Sequence, residues 1–141
     1  MKYSKIKLQM LKEKNFEYNS KRIKNSEDIV RTINENEELE KATQENALLI
    51  CLNTKNQIIC YSEIGKGGLS DCYIDIQGIF KTALLCNCNK IIICHNHPSG
   101  IAEASQEDIR ATKRIKEMAR IMDFELLDHI IIGENDFVSC M

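Results

Sequence analysis

The chain lacks the marks of several protein classes. No apolar run approaches the ~20 residues of a membrane span, since Ile91-Ile92-Ile93-Cys94 stops at His95. Met1 opens a polar, lysine-rich stretch without the apolar centre of a signal peptide, so the expected location is cytoplasmic. There is no CxxC pair, and Cys86-Asn87-Cys88 has no second pair to complete a four-ligand site. The cysteines number seven, and a disulfide framework is not expected in a cytosolic chain of this kind. Gly65-Lys66-Gly67-Gly68 lacks the GKS/T ending of a phosphate-binding P-loop and reads as a flexible connection. The H-x-E and P-C-x-x-C elements of a zinc deaminase are missing. No internal repeat or low-complexity segment is evident.

What is present is one domain's worth of chain, 141 residues with 43% apolar and 28% charged side chains. That balance is ordinary for a soluble globular protein with a real core. The net charge of −2 hides an asymmetry. Residues 1–25 carry eight Lys/Arg against Glu13 and Glu17, a net +6, which leaves −8 for the remainder. A basic leader of this kind can meet phosphate, so weak nucleic-acid contact is one expectation for it; a solvated terminus is the simpler one.

Beyond the leader, Ser26 can cap a helix reaching about Ala42, with Ile29, Ile33 and Leu39 as its apolar stripe. Ala47–Leu52 and Gln57–Ser62, joined by Asn53-Thr54-Lys55-Asn56, read as a β-hairpin. Ile76–Leu85 reads as a helix with Ile79, Ala83 and either Leu84 or Phe80 inward. Ile91–Cys94 is a fully apolar strand, as in the middle of a sheet. Pro98-Ser99-Gly100 forces a turn, and Ser105 opens a helix. Its inner face would be Ala111, Ile115, Met118 or Ala119, and Met122, with Arg110, Lys113, Arg114 and Lys116 outside. Two short strands follow, around Glu125–Ile132 and Phe137–Ser139.

The informative segment is His95-Asn96-His97-Pro98-Ser99-Gly100, with Ser105 and Asp108 downstream. Residues i and i+2 of a strand point to the same side, so His95 and His97 can converge on one ion. A carboxylate eleven residues further on adds a third ligand for a divalent metal, most naturally Zn²⁺. Three protein ligands leave a position for water, the pattern of a catalytic zinc site. The plain alternative for Asp108 is a capping box with Ser105. The third histidine, His129, follows Asp128 between apolar segments and reads as structural.

His95-x-His97, ten residues, then Asp108, with Ser105 three before it, resembles the JAMM (MPN+) motif of zinc metalloproteases. The longer run His95–Gly100, with Asp128-His129-Ile130-Ile131-Ile132-Gly133 downstream, resembles the RadC family within that superfamily. The likeness covers about residues 42–141. It implies an α/β fold of the JAB/JAMM type, a mixed sheet flanked by helices and related to the cytidine-deaminase architecture. It also implies that His95, His97 and Asp108 hold zinc and that Ser105 hydrogen-bonds the oxyanion of a tetrahedral intermediate. A glutamate on an early strand would move the proton. Glu45, just before the first strand, stands where RadC-like chains carry it, and Glu63 is its rival. The implied activity is hydrolysis of a peptide or isopeptide bond in a peptide or protein substrate. The alternatives are a nucleic-acid-associated module and a non-catalytic interaction domain on the same fold.

This chain departs from RadC-like patterns at three places. Ala47 stands where an aromatic is usual, Asp75-Ile76-Gln77 replaces Pro-Arg-Glu, and Ala104-Ser105 replaces Pro-Ser. Residues 1–41, a leader (1–25) and a helical segment (26–41), are too short and too unlike to supply the helix-hairpin-helix region of longer members. An HNH nuclease is excluded, because that motif disperses its residues across a ββα unit.

Overall fold

A computed structural model describes residues 1–7, 9–15, 17, 23–67 and 74–141. Within them the order is α1 (Ser26–Glu37), a 3₁₀ turn (Leu39–Lys41), β1 (Asn46–Leu52), β2 (Ile58–Lys66), α2 (Ile76–Cys86), β3 (Lys90–Asn96), α3 (Gln106–Ile121), β4 (Glu125–Ile132) and β5 (Phe137–Ser139). The strands form one sheet in the order β2-β1-β3-β4-β5. The β3–β4 pair is parallel and the others are antiparallel. A parallel pair needs a crossover, and α3 supplies it.

The central strands β1 and β3 bury both faces, which is why they read as unbroken apolar runs. Their odd-numbered residues (Leu49, Cys51, Ile91, Ile93) pack with Ile79, Phe80 and Ala83 of α2 and Ile115 and Ala119 of α3. Their even-numbered residues (Leu48, Ile50, Ile92, Cys94) pack with Ile29 and Ile33 of α1, together with Ile23 and Leu39. The result is a mixed sheet with helices on both sides, as the expected fold class requires. No helix among the described residues is long and apolar enough to cross a membrane.

Several local readings need correction. Asn25, not Ser26, caps α1: its Oδ1 accepts the Asp28 N–H at 2.9 Å, while the Ser26 hydroxyl donates to Asp128 Oδ2 at 2.6 Å. The helix stops at Glu37 because Glu38 turns left-handed (φ 48°), and Leu39 reaches the core from the 3₁₀ turn. β2 runs on through Gly65 and Lys66, where the sequence predicts a loop. Their ladder partners Ala47 and Asn46 hold them extended, so pairing overrides glycine's local preference. Gly68 of that run and Cys72 lie outside the described residues. On α2 it is Phe80 that turns inward, while Leu84 is 54% exposed. On α3 the buried line is Asp108, Thr112, Ile115 and Ala119, so Thr112 replaces Ala111, and Met122, capping the helix end, is exposed.

Candidate metal centre

Strand alternation sets the first ligand. His95 continues the odd-numbered face of β3 and is almost completely buried. His97 lies one residue past the strand, yet its N–H donates to Ile132 O at 2.9 Å, so it still runs beside β4. The chain then turns, with Gly100 at φ 81° and its N–H on His97 O at 2.9 Å. This turn rests on Gly133, where a Cβ would come within 2.5 Å of Gly100 O and 2.7 Å of Ala102 N. Only glycine permits so close an approach, which ties the end of β4 to the histidine loop.

The third group arrives on the first turn of α3. Ser105 and Asp108 form the capping box: Asp108 N–H donates to Ser105 Oγ at 3.1 Å, and Ser105 N–H donates to Asp108 Oδ2 at 2.8 Å. The cap does not compete with the site; it aims the carboxylate into it. Asp108 Oδ1 stands 3.2 Å from His95 Nε2, and Oδ2 stands 3.3 Å from His97 Nε2. Burial pushes the Asp108 carboxyl up, but the adjacent His95 imidazole and the Ser105 backbone N–H outweigh it and hold it well below the usual range. The group is therefore an anion at neutral pH.

Glu45, just before β1, brings a second carboxylate to the histidine pair. Its Oε1 lies 3.7 Å from His95 Nε2 and 3.6 Å from His97 Nε2. Asn96, between the two histidines, faces the opposite side of the sheet and is almost completely buried. Its Oδ1 accepts the Asn46 N–H at 2.7 Å and its Nδ2 donates to Gln44 O at 3.1 Å. Those bonds grip both neighbours of Glu45, and Gly67 N–H donates to Glu45 O at 2.7 Å. Glu63, the rival, pairs with Leu48 inside β2; it is exposed on the side of the sheet away from His95.

The two histidine Nε2 atoms are 3.1 Å apart. Ligands bonded to one tetrahedral zinc at about 2.0–2.1 Å stand about 3.3 Å from each other. The spacings among His95, His97 and Asp108 match that edge. Both imidazoles also have a partner on their far nitrogen, as zinc-binding histidines do: His97 Nδ1 donates to Ile101 O at 3.2 Å, and His95 Nδ1 meets His129 Nε2 at 2.8 Å.

The chain of partners behind His95 has only one consistent proton arrangement. Thr112 Oγ1 donates to Asp108 O at 2.7 Å, because a carbonyl cannot donate. Its 2.6 Å contact with His129 Nδ1 is therefore an N–H donated by His129. Burial, reinforced by His95, lowers His129 to about 3, so the ring is neutral and its Nε2 accepts. His95 must then donate from Nδ1, which leaves the Nε2 lone pair facing Asp108 and His97. His129 and Thr112 thus belong to the site. Their signal in the sequence was a polar Asp128-His129 pair inside an apolar strand, in parallel register with Ile92 and Ile93.

A five-stranded mixed sheet between helices, with a His-x-His at the end of a central strand and an aspartate on the following helix, defines an α/β domain of the JAB type. The chain belongs to the RadC family: the family model described as RadC-like JAB domain matches residues 23–141. Relatives bear out that membership. A UPF0758 protein of Clostridium perfringens is 48% identical over 103 residues, 73% of this chain and 45% of its own length. One from Clostridium botulinum is 48% identical over 118 residues (84% and 51%), and one from Bacillus cereus is 44% identical over 117 residues (83% and 51%). The chain spans about half the length of these relatives.

Proposed function

We propose that the domain is a zinc-dependent hydrolase of peptide or isopeptide bonds. The observation that carries this reading is the convergence of His95 Nε2, His97 Nε2 and the Asp108 carboxylate at 3.1–3.3 Å, with the Glu45 carboxylate beside them. His95, His97 and Asp108 would hold the ion. When bound, zinc supplies Lewis acidity and brings the pKa of a coordinated water to about 7.

The side chains do the rest. Glu45, within 3.7 Å of both Nε2 atoms, takes the proton of the attacking water and returns it to the departing amine. Asn96 fixes the backbone on either side of Glu45, so the carboxylate keeps its place through both transfers. Ser105 uses an oxygen lone pair for its cap, and its O–H remains available to the oxyanion that forms as the carbonyl is attacked. The neutral His129 keeps His95 in its ligating tautomer.

The test is hydrolysis by zinc-loaded protein of a panel of peptides and isopeptide-linked conjugates. Glu45→Ala is expected to lower turnover by about 10²–10⁴ while keeping its zinc, and His97→Ala to lose both. Full activity in both variants would overturn the reading.

A further inference from the structure

Away from the histidine site, the fold gathers cysteines that are scattered in the sequence. The β1–β2 register sets Cys51 directly opposite Cys60. The end of α2 brings Cys86, and two residues later Cys88, into the same packed cluster. The Sγ atoms of Cys51, Cys60 and Cys86 all lie within 4.8 Å of one another, and those of Cys60 and Cys86 are 2.7 Å apart. Met10 Sδ stands 3.9 Å from Cys86 Sγ. Cys51 lies four residue steps along β1 from Ala47, the partner of His95, a distance of about 13 Å. The two clusters are separate.

The donors brought together are sulfurs, one thiol fully buried and two half-buried. Thiolates and thioethers select soft cations such as Cu⁺ and Zn²⁺ over hard ones. Sulfurs bonded at about 2.3 Å to one tetrahedral ion stand about 3.8 Å apart, a separation that fits a group whose members all lie within 4.8 Å of one another. We propose that Cys51, Cys60 and Cys86 form a second metal site, a thiolate site for a soft d¹⁰ cation, with Met10 Sδ as a weak fourth donor. Cys88 stands behind it, its thiol donating to Ala83 O at 3.6 Å. Binding deprotonates the three thiols, and their protons leave to solvent.

The experiment uses the full chain carrying His97→Ala, reduced and free of metal, titrated separately with Zn²⁺ and Cu⁺. The readouts are metal per chain and the ultraviolet thiolate-to-metal charge-transfer band. The expected result is one equivalent bound with that band, and the ion that survives the weaker-binding competitor chelator names the natural class. Cys60→Ala and Cys86→Ala, at half-buried positions, should each weaken binding at least tenfold, with melting curves verifying that they fold. Cys140→Ala should change nothing. Binding without the band, affinity unaffected in folded Cys60→Ala, or a Cys60–Cys86 disulfide in place of binding would each overturn the proposal.

Discussion

His129 Nε2 lies 2.8 Å from His95 Nδ1, with the two ring centroids 4.8 Å apart. Through that one contact, a histidine on β4 decides which nitrogen of the β3 histidine turns its lone pair toward Asp108 and His97. Replacing His129 by leucine removes the acceptor and leaves the His95 tautomer unspecified. Zinc affinity, measured against a competing chelator, should fall about 10–100-fold. His129→Gln, whose Oε1 can take over the accepting role, should recover much of it. Equal losses in the two variants would mean that His129 only fills space.

Acid should find the same residue. The folded ring is lowered to about 3, whereas an unfolded histidine titrates near 6.5. Below pH 6.5 the unfolded chain binds a proton that the folded chain refuses, so stability falls as pH drops from about 6.5 toward 3. The slope approaches about 1.4 kcal/mol per pH unit for this one group. Urea unfolding of metal-free protein at pH 7 and pH 5 should show a loss in the wild type that is smaller in His129→Gln.

Ser105 can be separated into its two parts. Ser105→Ala deletes the cap and should cost about 0.5–2 kcal/mol of stability. Ser105→Asp keeps a strong capping oxygen but has no proton to give at neutral pH. Its stability should stay near that of the wild type while turnover falls about 10²–10³-fold, the usual cost of one oxyanion donor. Unchanged turnover in Ser105→Asp would leave Ser105 as a cap alone.

Asn96 tests whether the Glu45 backbone is actively held. Asn96→Ala orphans the Asn46 N–H and the Gln44 carbonyl, which should cost about 2–3 kcal/mol in denaturant unfolding. Turnover should drop at least tenfold with zinc content unchanged, because His95, His97 and Asp108 are untouched. Loss of zinc in the folded variant would show instead that Asn96 acts through the histidines beside it.

These residues also show where a linear reading works. His95, His97, Ser105 and Asp108 were legible because strand alternation and a helix cap are local rules, and both place side chains within a few residues. Glu45 and Glu63 could be told apart only by register: one residue's shift in β1 or β2 changes which face a carboxylate occupies. Thr112 was missed because an apolar stripe favours Ala111, whereas the buried imidazole of His129 calls for a hydroxyl on that face. His129 reads from the sequence as structural, because the partner that ties it to the site sits 34 residues away. The thiol cluster was invisible for the same reason: Cys86-Asn87-Cys88 lacks a second pair in sequence and finds it across the β1–β2 ladder.

The most direct test of the central claim is the position of zinc itself, from anomalous diffraction at the zinc absorption edge on crystals of the zinc-loaded protein. The account predicts a peak bonded to His95 Nε2, His97 Nε2 and the Asp108 carboxylate, with Glu45 beside it. Zinc-loaded crystals with no peak among those three side chains would contradict it.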